Sequence, residues 1–185
     1  FHADTSKITN AYNAFGELSK TTNALGGVET MTYDGVDRLA TDTHQSGLVD
    51  TYIYDGLGQR IRHWNSEFGT SVVETTGYDA QGRVTQTTDF QGYQTTYAYA
   101  WSPTLATSGL GTFGGWTKTT YNPAMLNATT HRSETESVDY FGRTVAKTDY
   151  GSHSYSFTFD LAGRLKTQTL GGTTDTYTYY NTGLL

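Results

Sequence analysis

At 185 residues the chain is long enough for one ordinary domain or for a stretch of a repeat array. A net charge of -6 with a pI near 5.2 offers no basic surface to nucleic acid or an anionic membrane, and zero cysteines exclude disulfides, thiolate nucleophiles and thiolate metal ligands. Leu, Ile, Val and Phe make up only 32 of 185 residues, but the low charge and 14% aromatics, 15 of them tyrosine, argue for order, and Tyr, Thr and Val favour half-buried strands over helix.

In chain order, the start "FHADTSKITN" lacks an initiator Met and the basic-then-apolar layout of a secretion signal, which predicts an excised piece of a longer protein. No apolar run approaches the ~18 residues of a membrane-spanning helix. A cluster then recurs: "YNAFGEL" from Tyr12, "YDGVDRL" from Tyr33, "YDGLGQRI" from Tyr54, "YDAQGRV" from Tyr78, "VDYFGRT" from Val138, "FDLAGRL" from Phe159, and a last copy, "YYNTGLL", from Tyr179. The first three steps are 21, 21 and 24 residues, and the last two are 21 and 20. Degenerate copies fill the 60-residue gap before Val138, at "YAWSPTL" and "YNPAML", which carry Pro103 and Pro123, the chain's two prolines. Proline donates nothing to a ladder, so residues 100–137, with "SGLGTFGGW" as flexible punctuation, are expected to be an irregular, degenerate part of the array between regular repeats at 1–99 and 138–185.

Between clusters run alternating segments such as "VTQTT" (84–88) and "YQTTYAY" (93–99), separated by a second turn such as "DFQG" (89–92). Strand and turn at roughly ten-residue spacing predict an all-β fold: a meandering antiparallel sheet of tandem hairpins, a curved ribbon or shell segment with almost no helix. In each cluster the first aromatic ends one strand. The Asp caps the turn, the Gly takes a positive φ, and the seventh residue opens the next strand. The turn residues on this reading are Tyr12 and Gly16; Tyr33, Asp34 and Arg38; Tyr54, Asp55 and Gly58; Tyr78, Asp79, Gly82 and Arg83; Asp139, Gly142 and Arg143; Phe159, Asp160, Gly163 and Arg164; and Tyr179 and Gly183. The arginines are expected to pair with acids of neighbouring repeats. Aromatics spaced two apart, such as Tyr52 and Tyr54, are expected to stack from repeat to repeat in a ladder.

A unit of 20 to 21 residues built on Tyr-Asp, two variable positions, Gly-Arg and an apolar residue resembles the RHS/YD repeat of bacterial polymorphic toxins, of the B and C subunits of insecticidal toxin complexes, and of animal teneurins. The resemblance covers nearly the whole chain, weakly over 100–137. It implies a long β-ribbon spiralling into a hollow shell, secreted or at the bacterial cell surface, which holds a C-terminal toxin or other cargo polypeptide unfolded inside. Its implied partners are further YD repeats of the parent chain and that cargo. The self-cleaving segment found after the repeats in such proteins has no counterpart here, so neither self-cleavage nor toxicity carries over.

Read for chemistry, the residues point the same way. An acid present at every turn is used for turning, and that covers Asp34, Asp55, Asp79, Asp139 and Asp160, with Asp42, Asp89 and Asp149 assigned near the second turns. His2, His44, His63, His131 and His153 follow no ligand spacing and are expected to face solvent. No metal, cofactor or catalytic group is therefore assigned. There is no Gly-x-Ser-x-Gly elbow, "GLGTFGG" lacks the Lys-Ser/Thr of a phosphate loop, and the glycosylation pattern at Asn127 is given little weight. The reading is a non-enzymatic wall. Trp101 and Trp116 keep an alternative open, a cell-surface adhesion or carbohydrate-binding module with glycans as partners.

Overall fold

A computed structural model of the chain describes residues 7–107, 109–121 and 132–180. Pro123, His2, Asn127, His131 and Gly183 lie outside the described residues. Two units divide the chain, Phe1–Gly92 and Tyr93–Leu185. Each is a run of antiparallel strands.

In the first unit the strands are β1 (Thr9–Tyr12), β2 (Leu18–Thr22), β3 (Val28–Tyr33), β4 (Leu39–Thr43), β5 (Val49–Tyr54), β6 (Arg60–Asn65), β7 (Glu74–Tyr78) and β8 (Val84–Thr88). Each pairs with the next in sequence. A 3-10 turn at Gly69–Ser71 is the one helical element among the described residues, and it holds the extra residues that stretch the step from Tyr54 to Tyr78.

The second unit has β9 (Gln94–Ser102), β10 (Ala106–Thr107), β11 (Gly111–Thr112), β12 (Gly115–Tyr121), β13 (Ser133–Asp139), β14 (Thr144–Thr148), β15 (Ser154–Phe159), β16 (Leu165–Leu170) and β17 (Thr173–Thr176). Its sheet runs β9-β12-β13-β14-β15-β16-β17, while β10 and β11 form a small hairpin of their own. The described part of 100–137 is thus mostly strand: β12 pairs along its whole length with β9 on one side and β13 on the other. The described part of "SGLGTFGGW", residues 109–116, is not loose punctuation either. Gly115 is buried where β12 begins, and a Cβ there would run into the Val138 carbonyl. The irregularity is an inserted hairpin whose Leu105 and Ala106 face Val145 and Phe157 across a cavity of about 340 Å³.

The two faces of a strand can differ in chemistry. In β15 the half-buried face carries Tyr155, Phe157 and Phe159, and the exposed face carries Ser154, Ser156 and Thr158. Hydroxyls join strands on the wet face, as in Thr32–Thr41 at 2.6 Å and Thr169–Thr174 at 2.8 Å. No apolar side chain among the described residues is buried, and Thr107, Thr120 and Asp139 are the buried polar ones. Among the described residues there is no apolar core. Its strength lies in ladders and in links between consecutive repeats.

Candidate functional site

Every described first turn is built alike. The cluster's first residue pairs across the hairpin with its seventh, as in Tyr33 with Leu39 and Tyr78 with Val84, and the ladder slips by one residue at that first position. Inside, the Gly82 N–H donates to the Asp79 carbonyl and the Asp79 N–H to the Arg83 carbonyl, at 2.9 Å each, closing a turn with a bulge at Gly82. Asp79 Oδ1 then accepts from the N–H groups of Gln81 and Arg83. Asp34, Asp55, Asp139 and Asp160 do the same in their turns, and Asn13 does so in the first. The fifth residue has positive φ in each: Gly16, Gly58, Gly82, Gly142, Gly163, and Asp37 at 65° where the glycine is replaced.

The arginines correct one expectation. Each binds the aspartate of its own turn: Arg38 with Asp34 and Arg83 with Asp79 at 2.7 Å, Arg143 with Asp139 at 2.7 Å, and Arg164 with Asp160 at 2.8 Å. The turn brings position six back beside position two, so the local acid is nearer than any other. Backbone donors, chiefly the N–H groups of Val36 and Arg164 respectively, hold the Asp34 and Asp160 carboxyls below the ordinary range. For Asp139 burial opposes ionisation, and its bonds with Arg143 outweigh it.

What crosses between repeats is the arginine's other face. The guanidinium of Arg38 lies 4.8 Å from the ring centre of Tyr54, Arg143 lies 4.6 Å from Phe159, and Arg164 lies 4.5 Å from Tyr179. Arg38 Nη1 also donates to the Asp55 carbonyl, and Gln59, which replaces arginine in the next repeat, donates to that of Gly82. The repeat tyrosines reply in the opposite direction. Tyr33 donates to the Leu18 carbonyl, Tyr54 to Leu39, Tyr78 to Arg60 and Tyr179 to Leu165, always the seventh residue of the preceding cluster. Where a ladder of stacked aromatics is expected from the spacing, the rings of Tyr54, Phe159 and Tyr179 receive the preceding repeat's arginine.

Second turns use the same geometry with other residues. Asn23 accepts from Leu25 and Gly27, and Asp149 accepts from Gly151 and His153, with Ser152 at φ 65° in the glycine's place. Asp42 does not belong to them: it stands in β4 opposite Asp50.

Trp101 and Trp116 are directly paired across β9 and β12, edge to face at 5.4 Å, and are 45% and 41% exposed. The histidines depart further from expectation. His63 is a half-buried hub whose ring nitrogens lie 3.0 Å from Asp50 Oδ1 and 2.8 Å from Glu74 Oε2, and whose ring is stacked on Tyr52 at 4.8 Å. His44 Nε2 lies 2.6 Å from Asp50 Oδ2. Only strand register brings these groups together, since β5 opposes Tyr52 to His63 and β6 opposes His63 to Glu74. His153 is the exposed one, resting on Asp149 in its turn. No group of acids and histidines among the described residues is arranged to hold a metal ion.

Tandem hairpins keyed by an Asp–Gly–Arg turn and linked by Arg-on-aromatic contacts define a YD-repeat sheet. Solved structures share it. The TcdB2-TccC3 complex without its hypervariable C-terminal region superposes with a TM-score of 0.65 at 17% identity, over 96% of this chain and 10% of that one. TcdB2-TccC3-Cdc42 matches with a TM-score of 0.65 at 16% identity, over 98% of this chain and 10% of that one. The Photorhabdus luminescens Tc holotoxin pore gives 0.56 at 15%, over 96% of this chain and 11% of that one. The chain thus has the RHS/YD-repeat fold seen in those toxin complexes and spans about a tenth of the chains it matches. No family model and no curated protein sequence matches it.

Proposed function

We propose that the chain is a non-catalytic section of an RHS/YD-type shell, in a secreted protein, that encloses a C-terminal toxin or other cargo polypeptide. The observation that carries this reading is a ribbon of linked hairpins with no buried apolar side chain among its described residues. Such a ribbon makes sense as wall, completed by more of the same repeat on either side. The likeness to TcdB2-TccC3, whose C-terminal region is called hypervariable, supports it. In the parent protein, limited proteolysis is expected to leave the polypeptide that follows the repeats intact while the same polypeptide expressed alone is digested. Equal digestion rates would contradict the shell.

The adhesion reading has one anchor, the exposed Trp101–Trp116 pair. Its rings meet at 66°, so the edge of one covers the face of the other, and together they make no flat platform for a sugar.

A further inference from the structure

We propose that the histidine–carboxylate cluster on β4 to β7 is a pH-responsive clamp, in which a protonated His44 and the hub His63 hold the Asp50 carboxylate and so lock four strands together under mildly acidic conditions. The geometry calls for a cation. Asp42 and Asp50 stand directly opposite each other on β4 and β5, where like charges repel, and Asp42 Oδ1 is buried with no hydrogen-bond partner. Both Asp50 oxygens are taken by imidazole nitrogens, at 2.6 Å from His44 and 3.0 Å from His63, and its side chain is 15% exposed. His63 extends the chain of contacts to Glu74 on β7.

The groups that act on His44 are acidic: Glu29 from β3, Asp42 from β4 just before it, and Asp50 from β5. Beyond Asp50 lie His63 on β6, Glu74 on β7 and the Tyr52 hydroxyl, with Arg60 over the Tyr52 ring at 5.9 Å as the nearby cation. The hydrogen bond with Asp50 raises His44 above its ordinary 6.5, with burial working against it. For Asp50 burial opposes ionisation, but the bonds from His44 and His63 hold it below 3.8.

The signs follow. A histidine raised in the folded state contributes stability that is complete below about 6.5 and is lost as pH rises through its folded value. A carboxylate lowered in the folded state contributes above about 3.8 and loses that contribution as pH falls through its folded value. The clamp is closed between those limits and opens on the alkaline side. His44 is free for this task because it sits at the head of a second turn where other residues use the side chain as a cap: its backbone closes the turn with Gly47 and Leu48, and its ring turns to Asp50.

Amide hydrogen exchange on the whole chain at pH 6 and pH 8, corrected for intrinsic rates, tests this. Protection over β4 to β7 is expected to be several-fold higher at pH 6, and His44→Gln is expected to abolish that difference while the second unit is unchanged. Equal protection at both pH values in the parent chain, or the same difference surviving in His44→Gln, overturns the clamp. If the variant does not fold, an NMR titration of His44 in the parent chain decides: a midpoint above 6.5 supports the clamp, and one at or below it refutes it.

Discussion

The aspartate at position two does three jobs at once. It closes the turn through its backbone, satisfies two N–H groups with one oxygen, and holds the arginine with the other. How much the last of these matters depends on burial. The Asp139 side chain is fully buried and Arg143 is 16% exposed, whereas Asp160 and Arg164 are 24% and 36% exposed. Removing one charge from a buried pair strands the other, at a cost of about 3 kcal/mol, while solvent and salt screen the exposed pair. Asp139→Asn is therefore expected to lower the urea midpoint clearly and Asp160→Asn to lower it far less. Equal shifts would show that burial does not grade these turns. Below about pH 4 the lowered Asp34, Asp79, Asp139, Asp149 and Asp160 carboxyls lose their contribution as they protonate, so acid should loosen all these turns together.

At the level of the hairpin, much of the design is legible in the sequence, because a tight bulged turn tolerates few residues at positions two and five. Asp and Gly therefore stand out at 21-residue spacing. The second turns stand out less, because Asn23, Asp89 and Asp149 cap theirs with different residue types, His44 closes one through its backbone alone, and Ser152 takes a conformation usually left to glycine. Arginine's partner is misjudged for a geometric reason, as the turn folds position six onto position two before any neighbouring repeat comes within reach. The His44–Asp50–His63–Glu74 chain is invisible until register is known, since residues 44 to 74 converge only through three successive strand pairings. What joins one hairpin to the next is testable at Tyr54, whose hydroxyl donates to the Leu39 carbonyl at 3.0 Å. Tyr54→Phe should cost about 1 kcal/mol, read as a urea midpoint shift, with the Arg38 contact to the ring retained. The natural Phe159 shows that the position accepts a ring without the hydroxyl. No shift would mean that the tyrosine links are incidental.

At the scale of the whole chain, the informative feature is that no apolar side chain among the described residues is buried. An ordinary domain of this length buries a substantial set of aliphatic side chains, yet here even Leu25, Leu57 and Phe15 are 96%, 79% and 85% exposed. Low aliphatic content in the sequence foretells this, and the aromatic, arginine and hydroxyl rows that replace a core explain how the sheet still holds. Stability then resides in the interfaces between consecutive hairpins, as in other linear arrays. The most direct test is to compare urea unfolding of the chain with that of a version ending at residue 159, which removes β16 and β17. If repeats stabilise one another in sequence, the shorter array unfolds at a lower midpoint. An unchanged midpoint would mean that the chain carries a self-sufficient core after all and would contradict the account of it as a length of wall.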